Sequence, residues 1–178
     1  MGLKLIAAIW GFAEATLFFI VPDVLLSAIA LKDLRRALFA CVLALLGALL
    51  GGLLMYLWGA ADHQAATAVV EKVPAISSEL LDEVSRSLSE QGLLAVLLGP
   101  LFGVPYKTFA INASAAGMPL LAFMLVSIPA RLIRFVLVTA LVHSIARLLC
   151  RYWPTSRIYA VFGIAWVAFY AAYFTFYG

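Results

Sequence analysis

Residues 37–61 read ALFACVLALLGALLGGLLMYLWGAA, 25 residues without one charged side chain. An α-helix needs about 20 apolar residues to cross a 30 Å hydrocarbon layer, so this run predicts a membrane span. A closed β-barrel is not expected, because barrel strands alternate apolar and polar residues and this run does not. Composition agrees: 66% of the 178 residues are hydrophobic and 12% are charged, against about half and a quarter in ordinary soluble domains. The net charge of +3 forms no basic stripe and joins no aromatic platform, so nucleic acid is not an expected partner. Lys4 is a weak n-region, and no small-x-small site follows before Glu14 and Pro22, so a cleaved signal is not expected. Cys41 and Cys150 lie in or at the end of apolar runs and read as small buried hydrophobes rather than as a disulfide or metal pair.

The chain divides into apolar pieces around one polar segment. Residues 3–31 are apolar but interrupted at Pro22 and Asp23. Residues 37–61 are the uninterrupted span. Residues 62–92 are polar; Leu80, Leu81, Val84 and Leu88 share a helical face, Ser77 or Ser78 can cap its start, and Gly92 can end it. That pattern fits an amphipathic helix on a membrane surface or a solvated loop helix. Residues 93–117 are apolar again, broken by Gly99, Pro100, Gly103 and Pro105. Residues 120–149 and 156–177 are two further spans. Trp58, Tyr152, Trp153, Tyr173 and Tyr177 read as interfacial anchors.

Basic flanks favour the cytoplasm. Lys4 precedes the first piece and Lys32, Arg35 and Arg36 follow it, so both of its ends belong on one side, which a re-entrant hairpin allows and a crossing does not. The polar segment holds six acids and two bases and fits the periplasm. Arg147, Arg151 and Arg157 return the chain to the cytoplasm. Residues 93–117 must then enter and leave from the outer side. The expected fold is an all-α integral membrane protein with two oppositely oriented re-entrant helical hairpins, each followed by a transmembrane helix, plus a C-terminal transmembrane helix. Paired broken segments in inverted halves point to a transport site, since irregular backbone at membrane depth must line a cavity or be buried in protein.

Glu14, Asp23, Lys107, Arg131, Arg134 and His143 fall inside apolar segments. Each charge at the bilayer centre costs roughly 2.5–3.5 kcal/mol or more, which makes such residues functional candidates. Glu14 and Asp23 flank the Pro22 break and suit proton coupling; Asp23 reads equally as a helix cap, which leaves Glu14 the stronger acid candidate. Arg131 and Arg134, three residues apart, share a face and suit bidentate grip of a phosphate. Pairing with the two acids is the alternative; it leaves one of the three cations over. Lys107 lies among Gly and Pro, where free amides can cradle an anion, or it snorkels to the outer interface. His143 reads as a helix–helix contact before a relay.

With these residues in view the chain resembles the DedA superfamily, bacterial relatives of the VTT or SNARE-associated Golgi membrane proteins, and more narrowly the small YqaA-type branch. The likeness runs through FAEATLFFIVPDVLLSAIAL, GALLGGLLMYLWGA and GPLFGVPYKTFAINASAAGMPLLAF. It rests on the acid, proline and second acid Glu14, Pro22 and Asp23, on Gly47, Gly51, Tyr56 and Gly59 of the first span, and on Ala116 and Gly117. The family's R-F-x-P-G-x-R-T pattern is altered: Leu101 stands at the first arginine, Lys107 at the second, and Pro105 is displaced by one. The resemblance implies two oppositely facing re-entrant hairpins in the bacterial inner membrane. It also implies transport of a lipid phosphate, such as undecaprenyl phosphate or a phospholipid, driven by the proton-motive force. It assigns proton coupling to Glu14 and Asp23 and anion binding to Lys107.

The leading expectation is therefore a lipid-phosphate flippase whose partners are membrane lipids, an anionic lipid phosphate and protons, with no cofactor and no metal. The alternative is a non-transporting scaffold or envelope-homeostasis protein, for which the G-x-x-x-G spacing of Gly47 and Gly51 favours helix association, including a homodimer. An intramembrane enzyme ranks last, because no Ser-His-Asp set, zinc motif or nucleophile elbow occurs.

Overall fold

The structure, a computed structural model, describes residues 2–177, with side chains as far as Thr175. The side chain of Tyr177 thus lies outside the described residues. Secondary structure among them is entirely helical: α1 (Gly2–Ala15), α2 (Asp23–Ala30), α3 (Leu34–Ala61), α4 (His63–Val70), α5 (Ser78–Gln91), α6 (Leu93–Leu98), a 3-10 turn (Gly99–Phe102), α7 (Tyr106–Ala113), α8 (Leu120–Leu149) and α9 (Thr155–Tyr177). Among the described residues three helices are long and apolar enough to cross a membrane: Leu34–Ala61, Leu120–Leu149 and Thr155–Thr175. They mark the chain as a membrane protein, and they coincide with the three spans expected at 37–61, 120–149 and 156–177.

Helix α3 is the spine. Small residues let two shorter helices lie directly on it. On one face α1 packs so closely that a Cβ added at Gly11 would fall 2.1 Å from the Ala44 carbonyl oxygen, and one at Gly47 would fall 1.9 Å from that of Ala8. Gly51 meets Phe12 and Ala15 in the same way. On another face α7 approaches, Tyr106 against Gly52 and Ile111 against Gly59. Both short helices run in the direction of α3: Lys4 lies 4.8 Å over the Phe39 ring near its start, and Ala15 is level with Gly51. Helix α8 runs the opposite way, with Phe123 stacked on Tyr56 and Thr139 against Cys41.

These contacts define two ends of the bundle. Lys4, Lys32, Arg35 and Arg36 gather at the start of α3. Chain segments 2–15 and 23–30 therefore enter and leave at this basic end, and residues 16–22 turn part-way along the bundle, with Leu17, Phe18 and Phe19 on its outer surface and Trp10 Nε1 donating to the Ile20 carbonyl. His143 Nδ1 contacts the Ala30 carbonyl at 2.6 Å, which ties α8 to the end of α2 and gives His143 its helix–helix role. The far, acidic end carries α4 and α5. Asp33 and Asp62 cap α3 and α4, and Ser77 caps α5 by accepting from the Leu80 amide. Gly92 ends α5 at φ +56°.

Two sequence expectations change here. The apolar face of α5 is neither on a membrane surface nor solvated: Leu81, Val84 and Leu88 are buried in the cluster that holds Tyr56, Tyr106, Phe109 and Ile111. Its hydrophobic face had a partner in α7 that lies some 25 residues on, beyond what local periodicity reveals. Cys150 is exposed in the turn after α8, whereas Cys41 is buried, because the apolar run that precedes Cys150 ends one residue before it.

Candidate functional site

Two apolar cores fill the bundle. One lies toward the acidic end, around Tyr56, Tyr106 and Phe123; the other toward the basic end, around Leu26, Ala44 and Phe135. A layer of charge separates them. Glu14 stands one residue before the end of α1, Asp23 opens α2, Lys107 is the second residue of α7, and Arg131 and Arg134 lie near the middle of α8.

Glu14 and Arg131 form a closed pair. Both guanidinium nitrogens donate, Nη1 to Oε1 at 3.2 Å and Nη2 to Oε2. Only 1% of Arg131 is exposed, and its guanidinium carbon lies 4.9 Å from the ring centres of both Tyr106 and Phe135. Tyr106 is itself fixed by donating to Ser127 Oγ at 2.8 Å. The rings dress the cation while the carboxylate neutralises it, the arrangement a fully dehydrated arginine needs.

Asp23 and Arg134 form a looser pair. Arg134 Nη2 lies 3.0 Å from Asp23 Oδ2, yet neither carboxylate oxygen meets hydrogen-bond geometry, and both are buried. Arg134 spends its directed bond elsewhere, Nη1 donating to the Pro100 carbonyl at 2.9 Å. Its side chain keeps 17% exposure. The cap reading of Asp23 is corrected: Pro22 occupies the cap position, no side chain caps α2, and Asp23 is its first helical residue.

Lys107 does not snorkel. It is 2% exposed, and its Nζ donates to the Phe18 carbonyl at 2.7 Å. The backbone at Pro22 and at Pro100 to Pro105 thus supplies free carbonyls, and each break is bonded to a cation: Phe18 to Lys107, Pro100 to Arg134. The structure brings all five predicted charges together. It resolves the choice for Arg131, which is paired rather than open. Of the two acids, it is Asp23, not Glu14, that keeps unsatisfied oxygens.

Two cavities meet this layer. One, of about 300 Å³, is lined by Glu14, Lys107 and Arg134 and extends to Val73 and Leu80 of the acidic end. The other, of about 660 Å³, is lined by Asp23 and Arg134 and extends to Val142 and Phe162 toward the basic end. Helix α9 walls both. Its Trp166, Phe169, Tyr170, Tyr173 and Phe174 form a stacked aromatic stripe, and Tyr170 Oη accepts from the Val21 amide at 2.9 Å. Sequence reasoning missed this wall and took Tyr173 for an interfacial anchor, although it lines the smaller cavity. The signal was present: aromatics at i, i+3, i+4, i+7 and i+8 mark one helical face. Comparison of the chain with known family models, with curated proteins and with solved structures finds no match.

Proposed function

We propose that this protein is a bacterial inner-membrane transporter that flips a lipid phosphate, coupled to proton movement, with its two broken segments acting as re-entrant hairpins. The observation that carries the reading is the convergence of both breaks and α8 on one buried layer of three cations and two acids. The first hairpin enters from the basic, cytoplasmic end and the second from the acidic, periplasmic end, an inverted arrangement typical of transport sites. The resemblance to the DedA superfamily points the same way.

The unequal pairs suggest the division of labour. Glu14 and Arg131 pin α1 to α8. Arg134, off line with Asp23 and open to both cavities, is the cation that an anionic headgroup takes, together with Lys107. An acid that loses its cation in a dry site binds a proton, because burial disfavours the charged form. Exchange of Arg134 from Asp23 to phosphate therefore links the arrival of substrate to the uptake of a proton. The scaffold alternative loses its main feature, since Gly47 and Gly51 are covered by α1 within one chain.

The test is reconstitution in liposomes with labelled undecaprenyl phosphate and phospholipids, with and without a pH gradient. Gradient-dependent flipping of a phosphate lipid, lost in Asp23→Asn and in Arg134→Lys, is the expected result. Absence of flipping for every lipid under both conditions would refute the reading.

A further inference from the structure

The larger cavity, of about 660 Å³, is charged at one end and apolar along the rest. Asp23 and Arg134 stand at the charged end. From there Leu137, Val138 and Val142 of α8 and Phe162 and Trp166 of α9 line a groove toward the basic end. The two helices run antiparallel along it. Tyr170 of α9 is bonded to Val21 near the charged layer, and Tyr159 lies beside Lys32 at the basic end. Only a small part of α9 is buried within the chain, which leaves the groove open along its length. Val142 is eight residues beyond Arg134, about 12 Å along the helix axis. The groove therefore covers most of one half of a hydrocarbon layer about 30 Å thick.

At this depth the groove meets hydrocarbon and not water. Its lining is no more apolar than lipid tails, so packing alone selects no particular chain. Selection falls to the charged end. The layer holds three cations against two acids, so one positive charge is left over. Arg134 is the cation with surface to offer: its side chain keeps 17% exposure, whereas Lys107 and Arg131 are closed off. An anionic head is complementary to that end, and the groove beyond it takes the chain that the head brings with it.

We infer that the groove between α8 and α9 holds the hydrocarbon chain of a phosphate lipid head inward, with the phosphate at Arg134 in mid-depth and the chain running to the basic end. This is the reverse of a lipid resting in the leaflet on that side, whose head lies at the interface and whose chain ends at mid-depth. The inference rests on the transport reading and adds to it the place and direction of the chain.

Photolabelling maps the chain. The full-length protein is placed in phosphatidylcholine nanodiscs with a trace of phosphatidic acid that carries a diazirine either near the head or at the chain end. Phosphatidylcholine with the same two diazirine positions is the control, and labelled residues are read by mass spectrometry. With phosphatidic acid, the diazirine near the head should mark the stretch around Leu137, and the one at the chain end should mark Val142 and Phe162. The phosphatidylcholine probes should give the opposite order, as ordinary lipid at that surface does. Ala165 lines the groove from α9 and is exposed, so Ala165→Trp fills the groove without disturbing the core. It should keep the wild-type melting temperature and lose the head-inward order. The same order for both heads would make the occupant ordinary boundary lipid. Exclusion of every probe would give the groove to another protein surface, such as a second copy of the chain. Either result overturns the inference, as does a head-inward order unchanged in folded Ala165→Trp. Labelling does not measure flipping: the head-inward order without flipping leaves the chain site standing and refutes transport, and flipping with the ordinary order does the reverse.

Discussion

Glu14 and Asp23 are both buried acids beside arginines, but their surroundings assign them opposite responses to substitution. Glu14 fills both acceptor positions with Arg131 nitrogens, so Glu14→Gln leaves an arginine buried between two aromatic rings without a counter-charge. Removing one partner of a buried pair costs about 3–5 kcal/mol, whereas replacing both with apolar residues is often neutral. Glu14→Gln is therefore expected to lower the melting temperature and yield sharply, and the double variant Glu14→Leu with Arg131→Met to recover most of both without recovering transport. The Asp23 carboxylate has an ion-pair contact with Arg134 but no aligned hydrogen bond, and Arg134 keeps its bond to the Pro100 carbonyl without it; Asp23→Asn is expected to melt closer to the wild-type temperature than Glu14→Gln and to lose gradient-dependent flipping. Thermal melts of the purified variants beside transport assays separate the two. From sequence alone both acids suit proton coupling, and Glu14 is the stronger candidate because Asp23 reads equally as a cap. Residue types and their place at membrane depth were legible there. Which arginine faces which acid was not, because that choice depends on how α1 and α2 sit against α8.

At the scale of elements, glycine decides which helices touch. The G-x-x-x-G spacing was plain in the sequence, and its use inside one chain was not, because small faces look alike whether they meet a neighbour in the same chain or in another. An added methyl at Gly47 meets backbone, which cannot rotate away. Gly47→Ala should force α1 from α3 at a cost of about 1–3 kcal/mol and draw Glu14 off Arg131, while the oligomeric state stays the same; melting and light scattering in detergent check the two halves of this prediction. The three spans and the two breaks were readable, since long apolar runs and clustered Gly and Pro act locally. Helix α4 was hidden in the polar segment, whose cap residue Asp62 looked like one more surface acid. Beside it, Glu79 sits in the first turn of α5, where backbone amides and the Ser77 hydroxyl hold its carboxyl below the ordinary glutamate value of 4.5. A lowered folded value makes the charged form favour the folded turn, so its contribution is present above 4.5 and fades as pH falls through the lower value. The protection factors of the amides at 79–82, taken against the intrinsic exchange rate at each pH, should fall at acid pH in the wild type and show no such step in Glu79→Gln.

Across the whole molecule, charge and apolar packing are sorted into layers. Arg131 and Arg134 occupy the middle of a 30-residue helix, and Glu14 is level with the middle of α3, so the ionisable layer lies where insertion is most costly. The cost is offset by mutual pairing and by carbonyls that only broken helices expose, which is the physical reason for two breaks at one depth. Such a layer serves transport only if the breaks are reached from opposite sides. Under the proposed function, the distribution of bases and acids predicts that the end that bears Lys32 and Arg36 is cytoplasmic and the end that bears α5 periplasmic. In the cysteine-free chain, Glu83→Cys should therefore react with an impermeant thiol reagent in right-side-out vesicles, and Asp33→Cys only in inverted ones. Both positions are solvent-facing, Glu83 on the outer face of α5 and Asp33 at the cap of α3, so lack of reaction reports the membrane and not burial in protein. Reaction of both from one side would mean that α3 does not cross, and the charged layer would then lie in no bilayer centre. Reversal of the pattern would leave the layer in place but turn the molecule over, so that the larger cavity, lined by Asp23 and Arg134, would extend toward the periplasmic side.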